Sequence, residues 1–210
     1  MVAPQQDRIV STPAPVVAGA GFADPGPLGL AGFAMTTFFL STVNTNMVGG
    51  TVTDVVLGLA LFYGGLAQLL AGMWEFVKGN TFGAVAFTSF GAFWMSFWYL
   101  LNHVPKAPGV DLDHGLGLYL LGWAIFTAYM TIAATRVSGV VLAVFAFLTL
   151  TFVALAVGKF AGNPTAMVPN GWTKLGGWLG LVTAALAWYG SLAGVMNATA
   201  KRIVFPTFPR

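Results

Sequence analysis

The chain has 210 residues, of which 57% are hydrophobic and only 7% are charged, and it contains no cysteine. Soluble domains carry roughly 25% charged residues, so this composition excludes a soluble globular protein and indicates an integral membrane protein. The lack of cysteine excludes disulfides and thiolate metal sites within these residues. The formal net charge of +3 rests on few groups and gives no reason to expect nucleic acid as a partner.

The stretch 1–22 mixes Ser, Thr, Pro and Ala with one Arg and one Asp. It lacks the positively charged start and the roughly 7–15-residue apolar core of a signal peptide. We therefore expect a flexible N-terminal tail over 1–22, a transmembrane domain over 23–200 and a short C-terminal tail over 201–210.

Six segments are apolar over the roughly 20 residues that a membrane-spanning helix needs. They cover about 27–45, 54–75, 81–102, 115–135, 138–158 and 175–197. The predicted fold is all-α, with six transmembrane helices. Six Lys and Arg residues would lie on the N-terminal side of the membrane and three on the other side. This bias predicts that both termini are cytoplasmic in a multi-pass protein of the cell membrane.

Polar side chains inside the predicted spans are almost all neutral, and Asp54 and Glu75 mark the two ends of the second span. Ser and Thr in such helices usually bond to carbonyls of their own helix or to a neighbouring helix. Gln68 differs, because a mid-helix amide has more hydrogen-bonding capacity than its own backbone can satisfy. It either joins neighbouring helices or lines a transport path.

The first span follows an unusual opening, "ADPGPLGLAGFAMTTFFLS", from residue 23 to residue 41. Pro25 and Pro27 predict a helix that begins near Pro27, since proline suits the first turn. The unpaired N–H groups of such a helix start attract anions, and Thr36 and Thr37 lie two to three turns further along. The pattern predicts either a carboxylate path or simply a helix stop for the preceding segment.

Two other features have simple structural interpretations. Glycines at helical spacing (Gly64 and Gly72, Gly176 and Gly180, Gly190 and Gly194) predict close helix packing. The segment "HVPKAPGVDLDH" contains residues that can bind metals, namely His103, Asp111, Asp113 and His114. Their spacing matches no metal motif, and we expect a solvated loop, no metal site and no cofactor.

Four stretches resemble the acetate uptake transporter family, which includes bacterial acetate/succinate–proton symporters and fungal acetate permeases. The opening stretch is similar to the family's Asn-Pro-Ala-Pro-Leu-Gly-Leu motif. The others are "FYGGLAQLLAGMWEF" (62–76), "GNTFGAVAFTSFGAFWMSFW" (79–98) and "TAALAWYGSLAGVMN" (183–197). Together they cover about residues 22–200.

The resemblance implies six helices per protomer, one pore in each protomer and assembly as a homo-hexamer. It also implies a hydrophobic constriction, which alignment of the motifs places at Phe33, Phe90 and Leu148. The expected site further includes an entrance motif and a polar substrate face. The entrance motif is Asp24, Pro25, Pro27, Leu28, Gly29 and Leu30, and the polar face is Thr36, Thr37, Tyr63, Gln68 and Thr88.

The chain departs from the family pattern at two of these positions. Asp24 stands where the family usually has Asn, which puts a titratable carboxylate at the pore entrance. It suits a helix N-terminus, and when ionised it repels an anionic substrate. Phe90 stands where Tyr is frequent, so the constriction lacks a hydroxyl.

The main functional hypothesis is secondary transport of acetate, with other short carboxylates such as succinate, coupled to protons. The proton would travel on the substrate or on Asp24 or Glu75. A gated acetate anion channel without obligatory proton coupling is the alternative. Two other classes remain for comparison: a membrane enzyme acting on lipid through the His103–His114 loop, and a structural protein without flux. No Ser/His/Asp or nucleotide-binding pattern supports an enzyme.

Overall fold

A computed structural model describes residues 21–49, 53–104, 112–162 and 168–210. Six helices in these residues are long and apolar enough to cross a membrane: α1 Gly26–Asn44, α2 Thr53–Lys78, α3 Thr81–His103, α4 Leu112–Ala134, α5 Gly139–Ala161 and α6 Gly171–Ala200. This confirms the predicted all-α membrane fold, and each helix begins and ends within four residues of its predicted bounds. Most of the expected N-terminal tail lies outside the described residues, as does Asp111.

The helix ends follow from local side-chain chemistry. Pro25 is the N-cap of α1 and Pro27 lies in its first turn. The side-chain oxygens of Asn80, Ser138 and Asn170 accept hydrogen bonds from the first turns of α3, α5 and α6. These residues fill the N-cap position, where a short polar side chain satisfies an otherwise unpaired N–H. A single residue directly before each of these three helices therefore determines where the helix begins.

The helices pack in a ring, in the order α3, α2, α1, α6, α5, α4. The most extensive contacts join α1 with α6, α6 with α5, α5 with α4 and α2 with α3. The seam between α3 and α4 is wider, and aromatic rings bridge it: ring centroids lie 5.7 Å apart for Phe93 and Tyr119, and 5.8 Å apart for Phe90 and Trp123. The ring encloses two cavities that are lined by side chains from its helices.

Glycines allow the tight helix contacts, as predicted. A Cβ at Gly180 would collide with Oγ of Ser41 on α1, and a Cβ at Gly176 would lie 2.7 Å from the side chain of Leu155 on α5. On α2, a Cβ at Gly64 would collide with Oγ1 of Thr36. Backbones can approach this closely only where the side chain is missing.

The middle of α2 forms one π-helical turn, Phe62–Ala67, which was not predicted from the sequence. The backbone of this turn is in close contact with α1, since a Cβ at Gly32 would lie 2.5 Å from the carbonyl oxygen of Tyr63. Gln68 follows this turn directly and is 1% exposed. Single π turns often mark functional positions in helices, because they re-aim the side chains that follow.

The C-terminal segment 201–210, expected as a short tail, is bound to the helix bundle. The N–H of Gly139 at the start of α5 donates to the carbonyl of Phe208 at 2.8 Å. The side chain of Asn197 accepts from Val204 and Phe205 N–H at 2.7 and 3.0 Å. The segment thus ties the end of α6 to the beginning of α5.

Candidate functional site

Three apolar side chains from different helices meet at the centre of the ring. Phe33 of α1, Phe90 of α3 and Leu148 of α5 are 4%, 2% and 3% exposed. The rings of Phe33 and Phe90 have centroids 5.6 Å apart. Phe33 and Leu148 line two cavities, one on each side of them, and Phe90 lines the smaller one. These three side chains, here called the neck, separate the two cavities.

The larger cavity extends from the neck toward the C-terminal end of α1. It has a volume of about 210 Å³, more than ten times the roughly 10–15 Å³ that a cavity needs to hold one water. Most of its lining is apolar, with rings of Phe93, Trp94, Phe97 and Phe152. Its polar lining residues are Thr37, Ser41, Asn44, Thr53, Thr151, Lys159 and Thr173. The cavity can hold a short organic acid.

The smaller cavity lies on the opposite side of the neck, toward the N-terminal end of α1. Its volume is about 20 Å³, and Leu30, Gln68, Phe87 and Phe145 contribute to its walls. That volume is about the room one water needs. Gln68 is the polar residue among its lining residues.

Four buried polar atoms have no hydrogen-bond partner within the described residues: Thr37 Oγ1, Gln68 Oε1, Thr88 Oγ1 and Trp94 Nε1. Several other hydroxyls donate to carbonyls of their own helix; Thr36 donates to the carbonyl of Gly32 at 2.9 Å, and Thr127 to that of Trp123 at 2.7 Å. Leaving a buried polar group unpaired is costly. Three of these four residues line a cavity next to the neck.

The rest of the expected polar face has a different location. Thr36, Tyr63 and Thr88 line neither of the two cavities. Thr36 packs against Gly64, and a Cβ at Gly72 would collide with Oγ1 of Thr88, so both threonines lie at helix contacts. Of the five residues expected on the polar face, the structure brings Thr37 and Gln68 to the cavities.

The entrance motif forms a small polar cluster at the start of α1. Asp24 Oδ1 accepts from the N–H of Gly26 at 3.0 Å and lies 2.7 Å from Lys78 Nζ. Glu75, 1% exposed, accepts a hydrogen bond from the side chain of Asn80 at 2.9 Å. The carboxylate of Asp24 therefore occupies the helix start that the sequence predicted as an anion site.

The remaining entrance residues lie in the first turns of α1. The carbonyl of Pro27 accepts from the Ser191 hydroxyl at 2.8 Å, which fixes α1 to α6. A Cβ at Gly29 would lie 2.6 Å from the ring of Phe87. Leu28 is 45% exposed, whereas Leu30 lines the smaller cavity.

At the other end of the bundle, Lys159 lines the larger cavity and its Nζ lies 2.8 Å from Asp113 Oδ1. Lys159 and Trp94 are not among the residues predicted for the site, although Lys159 is a single lysine near the end of an apolar span. His103 is exposed and stacks on Tyr99 with ring centroids 4.5 Å apart. Across the ranges that the structure describes, no group of three His, Asp or Glu side chains could hold a metal.

Comparison with known proteins decides the family. The family model described as "GPR1/FUN34/yaaH family" matches residues 10–210. The chain belongs to the GPR1/FUN34/yaaH family. This confirms the resemblance to acetate uptake transporters inferred from the four stretches.

Two relatives and one solved structure show how far the likeness to members of the GPR1/FUN34/yaaH family extends. Acetate permease A of Emericella nidulans is 40% identical over 199 residues, which is 88% of this chain and 65% of the permease. The succinate-acetate/proton symporter SatP of Escherichia coli K12 is 40% identical over 187 residues, 88% of this chain and 94% of the symporter. A solved structure described as the bacterial acetate channel SatP superposes with a TM-score of 0.79 at 37% identity, covering 89% of this chain and 99% of that one.

Proposed function

We propose that this protein carries acetate, and other short carboxylates such as succinate, across the cell membrane together with protons. The observation that carries the proposal is the neck of Phe33, Phe90 and Leu148 with a cavity on each side of it. Family relatives named as an acetate permease and a succinate-acetate/proton symporter support the choice of substrate.

The neck itself favours coupling to protons. A bare carboxylate between Phe33, Phe90 and Leu148 would lose its hydration without gaining a charged partner, at a cost of several kcal/mol or more. Protonation removes most of that cost, so the proton travels with the substrate. Thr37 and Gln68, whose oxygens lack partners within the described residues, offer hydrogen bonds on the two sides.

Two carboxylates of the chain are candidates for carrying the proton instead. Glu75 is buried and receives a hydrogen bond from Asn80, while Asp24 is exposed and paired with Lys78. Both lie at the entrance to α1, away from the neck. We therefore propose that Glu75 and Asp24 belong to the entrance of the path and that the substrate itself carries the proton.

A gated acetate channel is the second candidate function. The solved relative is described as an acetate channel, and a neck that opens transiently would serve a channel as well as a symporter. The two functions differ in whether proton movement is obligatory. The proposal includes no catalytic reaction and no cofactor.

Assembly and orientation extend the same proposal. Each chain would enclose its own path and join five copies in a homo-hexamer, with both termini in the cytoplasm. Large apolar side chains exposed on the outside of the helices, such as Ile125 at 62% and Ile132 at 73%, suit contact with lipid or another subunit. The excess of Lys and Arg on the side of the termini supports the orientation.

Uptake of labelled acetate into proteoliposomes tests the function, with an inward proton gradient and without one. Phe33→Ala opens the neck, and Phe38→Ala is its matched control, because Phe38 lies on the same helix and lines neither cavity. Accumulation above equilibrium that depends on the gradient supports symport, and flux that only equilibrates supports the channel. No flux of any short acid would overturn both.

A further inference from the structure

One charged side chain reaches the wall of the larger cavity. Of the described residues that line it, Lys159 alone carries a charge, and the others are apolar or neutral polar. Lys159 lies in the last turn of α5, which ends at Ala161. The negative end of the helix dipole favours a cation at that position. Among the residues of α5 that line the cavity, Lys159 lies farthest from Leu148 along the helix. The positive charge is therefore at the end of the cavity away from the neck.

The partner of this lysine belongs to the protein itself. Lys159 Nζ lies 2.8 Å from Oδ1 of Asp113, and their side chains are 28% and 49% exposed. Ion pairs that face water contribute little net stability, because the gain in attraction is offset by lost hydration and side-chain freedom. A carboxylate that enters from solution can therefore replace Asp113 on Lys159 at little cost.

We infer that Lys159 recruits substrate carboxylates at the mouth of the larger cavity and that Asp113 competes with them for the same ammonium group. The inference rests on the proposed function and adds a specificity-determining residue to it. A cation set in apolar walls focuses its field into the cavity and raises the local concentration of anions. Asp113 lowers that concentration by neutralising the cation when no substrate is present.

The pair also bears on which acids are accepted. At a pH where both of its carboxyl groups are ionised, a dicarboxylate carries two negative charges, so the ammonium group of Lys159 attracts it more strongly than a monocarboxylate. Loss of Lys159 should therefore weaken the apparent affinity for succinate more than that for acetate.

The test uses initial uptake rates in proteoliposomes at low ionic strength, at a pH where the acids are ionised, with orientation determined by protease accessibility of a terminal tag. Lys159→Gln should raise KM for acetate about 3- to 10-fold and KM for succinate more, with the maximal rate changed less than about 2-fold. Lys159→Arg should retain the wild-type KM. Asp113→Asn should lower KM about 2- to 3-fold, and high salt should remove all these differences.

Lys174→Gln is the matched control, since it removes a lysine from the same end of the bundle, near the start of α6, and Lys174 does not line the cavity. Equal KM values for Lys159→Gln and Lys174→Gln would overturn the inference. So would an Asp113→Asn variant with a raised KM, which would mean that the pair only supports the fold. If Lys159→Gln does not fold, the KM of Asp113→Asn tests the inference by itself. A wild-type protein that moves no short carboxylate would overturn the proposed function, and this inference with it.

Discussion

Asp24 and Lys78 join the start of α1 to the end of α2, with Oδ1 and Nζ 2.7 Å apart. The same Oδ1 accepts the N–H of Gly26 at 3.0 Å. Asp24 Oδ1 therefore pairs both with an N–H group in the first turn of α1 and with the ammonium group of Lys78. An anionic substrate that approaches this end meets a site that the chain's own carboxylate already fills.

Asp24→Asn should keep the hydrogen bond to Gly26 and lose the ion pair. Because the side chains of Lys78 and Asp24 are 35% and 48% exposed, the free energy of unfolding should change by no more than about 1 kcal/mol. Freed from Asp24, Lys78 should lower KM for acetate about 2- to 3-fold for transport that starts from this end, at low salt. Initial rates in oriented vesicles measure this. Asp54→Asn removes an exposed carboxylate at the opposite end of α2, and an equal change in that control would contradict the prediction.

Leu148→Ala should connect the two cavities, since Leu148 lines both. We expect uptake of bulkier acids, such as lactate or benzoate, to rise relative to acetate. The free energy of unfolding should fall by about 2–5 kcal/mol, as for other buried Leu→Ala changes. Competition uptake with paired labels measures the selectivity, and thermal unfolding measures the cost. Leu150→Ala, at a 52% exposed position on the same helix, should change neither the selectivity nor the stability by a comparable amount.

The membrane fold was predictable because its cause is local. A run of about 20 apolar residues spans a bilayer whatever its neighbours are, so the six helices could be located from the sequence to within four residues. The caps of α3 and α6 have equally local causes, since Asn80 and Asn170 sit directly before the turns they cap.

The site was less predictable because it depends on rotation and on distant partners. Thr36 and Thr37 are neighbours of the same type, yet one packs on Gly64 and the other lines the larger cavity. The two side chains differ by a rotation of about 100° around the helix axis. Because α1 is apolar on all sides, its hydrophobic pattern does not indicate which of the two faces the cavity. The pairing of Lys159 with Asp113 joins residues 46 positions apart, which no local pattern indicates.

Gly180→Ala should destabilise the packing of α6 on α1, because the added methyl would collide with Oγ of Ser41. Overpacking of this kind costs about 1–3 kcal/mol, so we expect a lower unfolding temperature in detergent and reduced transport. Gly122→Ala is the matched control on α4, where nothing lies within 4 Å of the new Cβ. A Gly180→Ala protein as stable as Gly122→Ala would show that α6 can move away from α1 freely.

Gln68→Met should separate stability from transport. Oε1 of Gln68 is buried without a partner among the described residues, and such a group costs about 1–3 kcal/mol. A side chain of similar length without that oxygen should therefore raise the unfolding temperature. The same change removes the polar group of the smaller cavity, so acetate uptake should fall about fivefold, the equivalent of about 1 kcal/mol for one hydrogen bond.

Thr183→Val provides the control for Gln68→Met, because its hydroxyl is already bonded to the carbonyl of Leu179 at 2.9 Å and Thr183 lines neither cavity. We expect it to leave uptake unchanged and not to raise stability. A Gln68→Met protein that is less stable than wild type would mean that the amide bonds within the bundle. One that is more stable and transports normally would mean that substrate passes without contacting Gln68. Only higher stability together with slower uptake agrees with an amide kept unpaired for the substrate.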